Sequence, residues 1–162
     1  MHSEALNTIT ARYSFREDRI IIDGIIHNGE ELQLVLTQRL ARAIIEELVR
    51  KVGDGKQSAL INEFAQQQAV SFKKVAEPVE VTGSHKVWLV THIHFHKLDV
   101  GTRIIFTEDD MRAVHIDSSE EILRNLLDIL YKSFVTANWP LDIFPDWIKF
   151  SADSALEIKT IN

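Results

Sequence analysis

The first forty residues read with a period of two. Ile9, Ala11, Tyr13 and Phe15 alternate with Thr10, Arg12, Ser14 and Arg16, which is the pattern of a half-buried strand. Glu17-Asp18 turns the chain into an isoleucine-rich stretch, 19–26, whose alternation blurs at Asp23-Gly24. A glycine inside such a strand points to a bulge. Asn28-Gly29 supplies the residues that tolerate positive φ in a tight hairpin, and Leu32, Leu34 and Leu36 then share one face. Three strands in a meander are predicted. The period changes at Thr37, placed to cap a helix running to about Val52 with Leu40, Ala41, Ile44, Ile45, Leu48 and Val49 at helical spacing. Gly53-Asp54-Gly55-Lys56 breaks it. A second helix is expected from Ser58 to about Phe72, with Leu60, Ile61, Phe64, Ala65, Gln68 and Ala69 on its apolar side.

The same order then recurs. Val79 and Val81 suggest a short strand, and Gly83-Ser84 a turn. Val87 to Phe95 reads as the longest strand, with Val87, Leu89, Thr91, Ile93 and Phe95 opposite Trp88, Val90, His92, His94 and His96. Strands at 103–107 and 112–116 follow, separated by Glu108-Asp109-Asp110. Asp117-Ser118-Ser119-Glu120, a capping side chain with an acid three residues on, opens a helix reaching about Thr136. Its stripe is Ile122, Leu123, Leu126, Leu127, Leu130 and Phe134. Beyond it, Pro140 and Pro145 break regular helix among Trp139, Phe144 and Trp147, and Leu156 to Ile161 could add a last strand.

The predicted fold class is therefore α+β. It consists of two consecutive antiparallel meander-then-helix units, about 8–52 and 77–136, within one domain spanning 1–162. Helix 58–72 bridges the units, the helices at 38–52 and 118–136 lie on the apolar face of one or two antiparallel sheets, and an aromatic tail, 137–162, closes the chain. Val114-His115-Ile116-Asp117 sits before its helix as Leu34-Val35-Leu36-Thr37 sits before the first, so an internal duplication is one reading and convergent use of a strand-to-capped-helix connection is the other.

Composition narrows the setting. A chain of 162 residues with 45% hydrophobic content is long enough for a single core. The absence of cysteine excludes disulfides, thiolate nucleophiles and Cys-based zinc sites, and fits a reducing, cytoplasmic setting. The first residues show no signal-peptide pattern, and no apolar run approaches the ~20 residues that span a bilayer. Residues 1–56 carry 8 Lys/Arg against 9 Asp/Glu, and 57–162 carry 10 against 15; the charges of −1 and −5 sum to −6. An acidic chain without a Lys/Arg block disfavours nucleic acid.

Three constellations carry candidate chemistry. His92, His94 and His96 share one face of a strand, and His115 could join them from a nearby one. A divalent transition metal is the cofactor such a row would take, because alternate residues of a strand stand roughly 7 Å apart and can converge on one ion. A pH-sensitive surface or subunit contact uses the same residues. The aromatics Trp139, Phe144 and Trp147 suit a protein interface, as in a homo-oligomer, or equally a lid over the chain's own core. Arg12, Arg16 and Arg19 form a small basic group on the first hairpin, with Tyr13 the nearest aromatic, although Tyr13 alternates onto the apolar face. The order of strands followed by a helix, given twice, resembles the Pur-alpha and Whirly families, whose sheets bind single strands; the resemblance covers element order alone.

Enzymatic motifs find no support. Glu30-Glu31, Glu108-Asp109-Asp110 and Glu120-Glu121 lie at turns or helix starts, where carboxylates are favoured locally. No Gly-x-Ser-x-Gly, phosphate-cradling loop or dinucleotide fingerprint is present. The sequence thus points to a non-catalytic binding or assembly module that self-associates, with metal binding through the histidines and single-strand binding through the sheet as alternatives.

Overall fold

The computed structural model describes residues 2–53, 58–72, 79 and 85–151. The expected strand at Val79 and Val81, the Gly83-Ser84 turn, the strand at Leu156 to Ile161 and most of the Gly53 to Lys56 breaker lie wholly or partly outside them.

The fold is α+β. Strands β1 (Glu4–Ser14), β2 (Arg19–Ile26) and β3 (Glu31–Leu36) precede helices α1 (Gln38–Val52) and α2 (Ala59–Ser71). Strands β4 (Lys86–Leu89), β5 (His92–Lys97), β6 (Thr102–Glu108) and β7 (Arg112–Ser118) precede α3 (Glu120–Ala137), and a short helix follows at 146–151. The chain divides into two compact units, Met1–Ala41 with Ala76–Ser119, and Arg42–Val75 with Glu120–Asn162. This grouping runs across the two meander-helix segments of the sequence. Every strand falls in the first unit. The second holds α2, α3, the short helix and all but the first turn of α1.

In the strand unit the order is β4-β3-β2-β1-β7-β6-β5. Both predicted meanders are present, β1-β2-β3 and β5-β6-β7, each antiparallel throughout. The sheet is nevertheless mixed, because β1 pairs with β7, and β3 with β4, in parallel. The second parallel pair follows from chain geometry. Two helices separate β3 from β4, and a parallel neighbour needs a crossover of that kind.

The two ends of this strand order are neighbours in the chain. Val90 N–H donates to Val35 O at 3.0 Å, and Thr91 N–H donates to Thr107 O at 2.8 Å. Segment 86–97 thus pairs with β3 through its first half and with β6 through its second. The sheet closes on itself, which removes most of the open edge that strands otherwise expose.

Register fixes which side chains face inward. Ala11, Ile22, Leu34 and Trp88 lie across from one another, as do Phe95, Ile104 and Ile116. Ile22, Leu34, Trp88, Ile104, Phe106 and Val114 are buried. The irregularity expected at Gly24 lies on the partner strand instead, between Leu6 and Thr8. Gly24 serves the packing in a different way. A Cβ there would stand 3.0 Å from Leu6 Cδ2, so its bare backbone makes room for the leucine. Gly101 is more constrained still. Its φ is +93° and a Cβ would collide with Ser118 O.

In the helical unit, α1 ends beside α3 through one buried side chain. Arg124 is 2% exposed, and its guanidinium donates to Val52 O at 3.1 Å, to Asn62 Oδ1 at 3.2 Å and to Glu120 Oε1 at 2.9 Å. Thr37 caps α1 as expected, accepting from Leu40 N at 3.3 Å, and Ser58, where the second helix was expected to start, caps α2, accepting from Ile61 N at 3.3 Å. Asp117 does not cap α3. It belongs to β7 and pairs with Arg103 across the strand at 2.6 Å.

Candidate functional site

The histidine row starts from a break in the strand that carries it. Unbroken alternation would put Trp88 and Val90 beside His92, His94 and His96. The switch of pairing partner at Val90–Thr91 shifts the period by one. Trp88 and Val90 therefore turn inward, 6% and 2% exposed, and Val87 and Leu89 turn outward, 53% and 50% exposed. Beyond the break Ile93 and Phe95 pair with the inward-facing Phe106 and Ile104. All three histidines are exposed on the outer face.

His92 and His94 stack, with ring centroids 6.5 Å apart and planes 14° from parallel. His115 lies on the same face, since His94 pairs with Ile105 and Ile105 with His115. It is two strands away, about 10 Å by sheet spacing, against metal–nitrogen bonds of about 2 Å. The structure does not bring the four together, and among the described residues no group of three His, Asp or Glu side chains is arranged to hold a metal.

His115 has its own partner. Its Nδ1 is 2.8 Å from Ser3 Oγ, joining β7 to the start of β1 beside their parallel pairing. Burial, and then the Arg103 charge, push its pKa below the ordinary 6.5, with Asp117 opposing. Asp117 is itself held low, chiefly by its hydrogen bond from Arg103.

The aromatic tail is packed inside the helical unit. Asn138, at φ 55°, ends α3 in a Schellman motif: Asn138 N–H reaches Val135 O at 3.1 Å, and Trp139 N–H reaches Phe134 O at 3.0 Å. The turn aims the tail back along α3. Trp139 meets Phe134 edge-on at 5.0 Å, and Phe144 meets Phe134 and Tyr131 at 5.3 and 5.2 Å. Trp147 takes the Arg124 guanidinium over its ring at 5.7 Å. Trp139, Phe144 and Trp147 are all buried. All three pack against side chains of α3, with under a tenth of each left exposed.

Of the three arginines of the first hairpin, one is held by a carboxylate. Arg12 Nε pairs with buried Asp23 at 3.0 Å, and Gln33 donates to the other Asp23 oxygen at 2.7 Å. Arg19 donates to Asp18 O at 3.0 Å, and Arg16 lies exposed in the β1–β2 turn. Tyr13 donates to Asp18 at 2.7 Å and packs edge-on with Phe15.

An apolar surface lies on α2, where the periodicity predicted a buried stripe. The buried residues of this helix are Asn62, Gln66 and Ala69. Leu60, Ile61 and Phe64 are 75%, 53% and 60% exposed, and Phe72, just past the C-terminus, is 72% exposed. The polar face is inward because of Arg124. Asn62 accepts from its guanidinium, and Gln66 Nε2 donates to Arg124 O at 2.7 Å. Turning the helix over would take the Asn62 acceptor from the buried guanidinium and the Gln66 donor from Arg124 O, and a buried polar group left unpaired costs about 1–3 kcal/mol. Beside the exposed stripe lies a groove of about 370 Å³, whose lining includes Ala65, Ala69, Phe72 and Glu121. The sequence signal for this inversion was the pair Asn62 and Gln66 at helical spacing, opposite Leu60 and Phe64.

No protein-family model, no curated protein and no solved structure matches this chain. Among the described residues, no helix is long and apolar enough to cross a membrane.

Proposed function

We propose that this chain is a non-catalytic assembly module that pairs with a second copy of itself through the outer face of α2. The inversion of that helix carries the reading. A helix pinned by Asn62 and Gln66 presents Leu60, Ile61 and Phe64 to water, an arrangement that gains free energy only when something covers them. The surface also has the two halves of a self-complementary contact. Phe64 is an exposed ring, and the groove beside the stripe is lined by Ala65, Ala69 and Phe72 on one side and by Gln68, Glu120, Glu121 and Arg124 around them. A two-fold pair sets each copy's exposed ring against the other's groove, as an isologous interface requires.

Four large apolar side chains at these exposures offer on the order of 450 Å² per copy. That is about half of what each partner contributes to a standard stable interface. The expected dimer is therefore weak and concentration-dependent. Sedimentation velocity from micromolar to sub-millimolar protein should show monomers converting to dimers. Leu60→Gln/Phe64→Gln should stay monomeric with an unchanged unfolding midpoint, since both positions are exposed. A wild-type chain that remains monomeric across the range, or a variant that dimerises equally well, overturns the proposal.

A further inference from the structure

Closing the strand unit leaves a mouth at one end of the ring. A cavity of about 180 Å³ opens there, lined by Glu4 of β1, Ile26 of β2, Glu30 before β3, Lys86 and Trp88 of β4, and Arg112 of β7, among others. These residues come from around the ring, at the starts of β1, β3, β4 and β7 and the end of β2. Only closure of the sheet brings them together.

Trp88 makes this mouth more than a dimple. Its side chain is buried, and its indole N–H has no acceptor among the described residues. A buried donor without an acceptor costs about 1–3 kcal/mol, and the positions that lie across from Trp88 are filled by the purely apolar Leu34, Ile22 and Ala11. Two cations flank it. The Arg112 guanidinium sits 5.0 Å from the Trp88 ring centroid, and Lys86 is two residues away on the same strand and face. Each already meets a glutamate: Lys86 Nζ lies 2.8 Å from Glu30, and Arg112 pairs with Glu108. An ammonium has three donors and a guanidinium five, so both keep donors to spare. Arg112 and its neighbour Met111 are exposed at the rim beside the indole.

We propose that this mouth binds a small carboxylate, one oxygen accepting the Trp88 indole N–H and the other held by Arg112 and Lys86. The unpartnered donor calls for an acceptor, and the two cations call for that acceptor to be anionic. The volume limits it to a few carbon atoms. Glu4 and Glu30 on the rim disfavour multiply charged anions, which would meet both carboxylates at once.

The test uses the whole chain and its three indole resonances, with the Trp88 signal assigned from Trp88→Phe. Sodium butyrate is titrated at constant ionic strength against sodium chloride, with methylammonium chloride as the cationic counterpart. Butyrate should move the Trp88 indole signal saturably and leave those of Trp139 and Trp147 in place. Arg112→Gln and Lys86→Gln, both at exposed positions, should each weaken binding by about tenfold, as loss of a charge-assisted hydrogen bond predicts. No saturable movement with butyrate, equal movement with chloride, or a response to methylammonium in its place overturns the proposal.

Discussion

His115 shows how one side chain can couple burial to pH. In the fold its imidazole is enclosed beside Ser3 and its pKa is lowered, first by burial and then by Arg103. A histidine whose folded pKa lies below its unfolded value favours the neutral ring. Its contribution is complete above the unfolded value of 6.5 and is lost as pH falls from there through the folded value. The urea midpoint should therefore drop between pH about 7.5 and about 5.5. His115→Gln, which keeps a hydrogen-bonding group for Ser3 without a titrating ring, should flatten most of that drop. An equally steep profile in the variant would place the pH dependence elsewhere. The alternation of His115 between Val114 and Ile116 was visible in the sequence. Its partner, Ser3, lies 112 positions away and came into view only through the parallel pairing of β1 with β7.

Elements were the most legible level. Thr37, Ser58 and the Asn28-Gly29 turn act through neighbours a few residues away, so local chemistry set those boundaries to within a residue or two. The end of α3 is equally local. Asn138 adopts positive φ, and the Schellman bonds it allows turn Trp139 onto Phe134. Asn138→Ala should cost about 1 kcal/mol, because a Cβ without a polar side chain is strained in that conformation. The thermal midpoint should fall by about 2–4 °C for a chain of this size. Asn138→Gly should leave it equal or higher, which separates backbone strain from loss of a side-chain contact. For α2 the local pattern misled in one respect. Its boundaries came from Ser58, but its inward face was decided by Arg124, a residue of another helix.

At the scale of the molecule the consequential stitch is Val90–Thr91, where one segment passes from β3 to β6. Thr91 donates its N–H to Thr107 O, and its hydroxyl accepts from Asp109 N at 2.9 Å. Thr91→Pro removes the amide donor and the hydroxyl together. It should cost about 3 kcal/mol or more, and amide exchange should quicken in the halves of both β3 and β6 that meet at the junction. Exchange confined to residues 90–92 would show that the ring does not depend on this stitch. The same closure makes the mouth around Trp88, so Thr91→Pro should also loosen whatever that mouth holds.

Periodicity and caps by themselves determined the α+β class, nearly every strand and helix among the described residues, and the two antiparallel meanders, because each of these rests on contacts within a few residues. Three matters were left to the tertiary structure: the closing of the sheet, the inward turn of Trp88 away from the histidine row, and the outward turn of Leu60 and Phe64. Each depends on a residue distant in sequence supplying a partner, Val35 and Thr107 for the closure and Arg124 for α2. A linear pattern records how side chains alternate. It does not record which distant group they must satisfy.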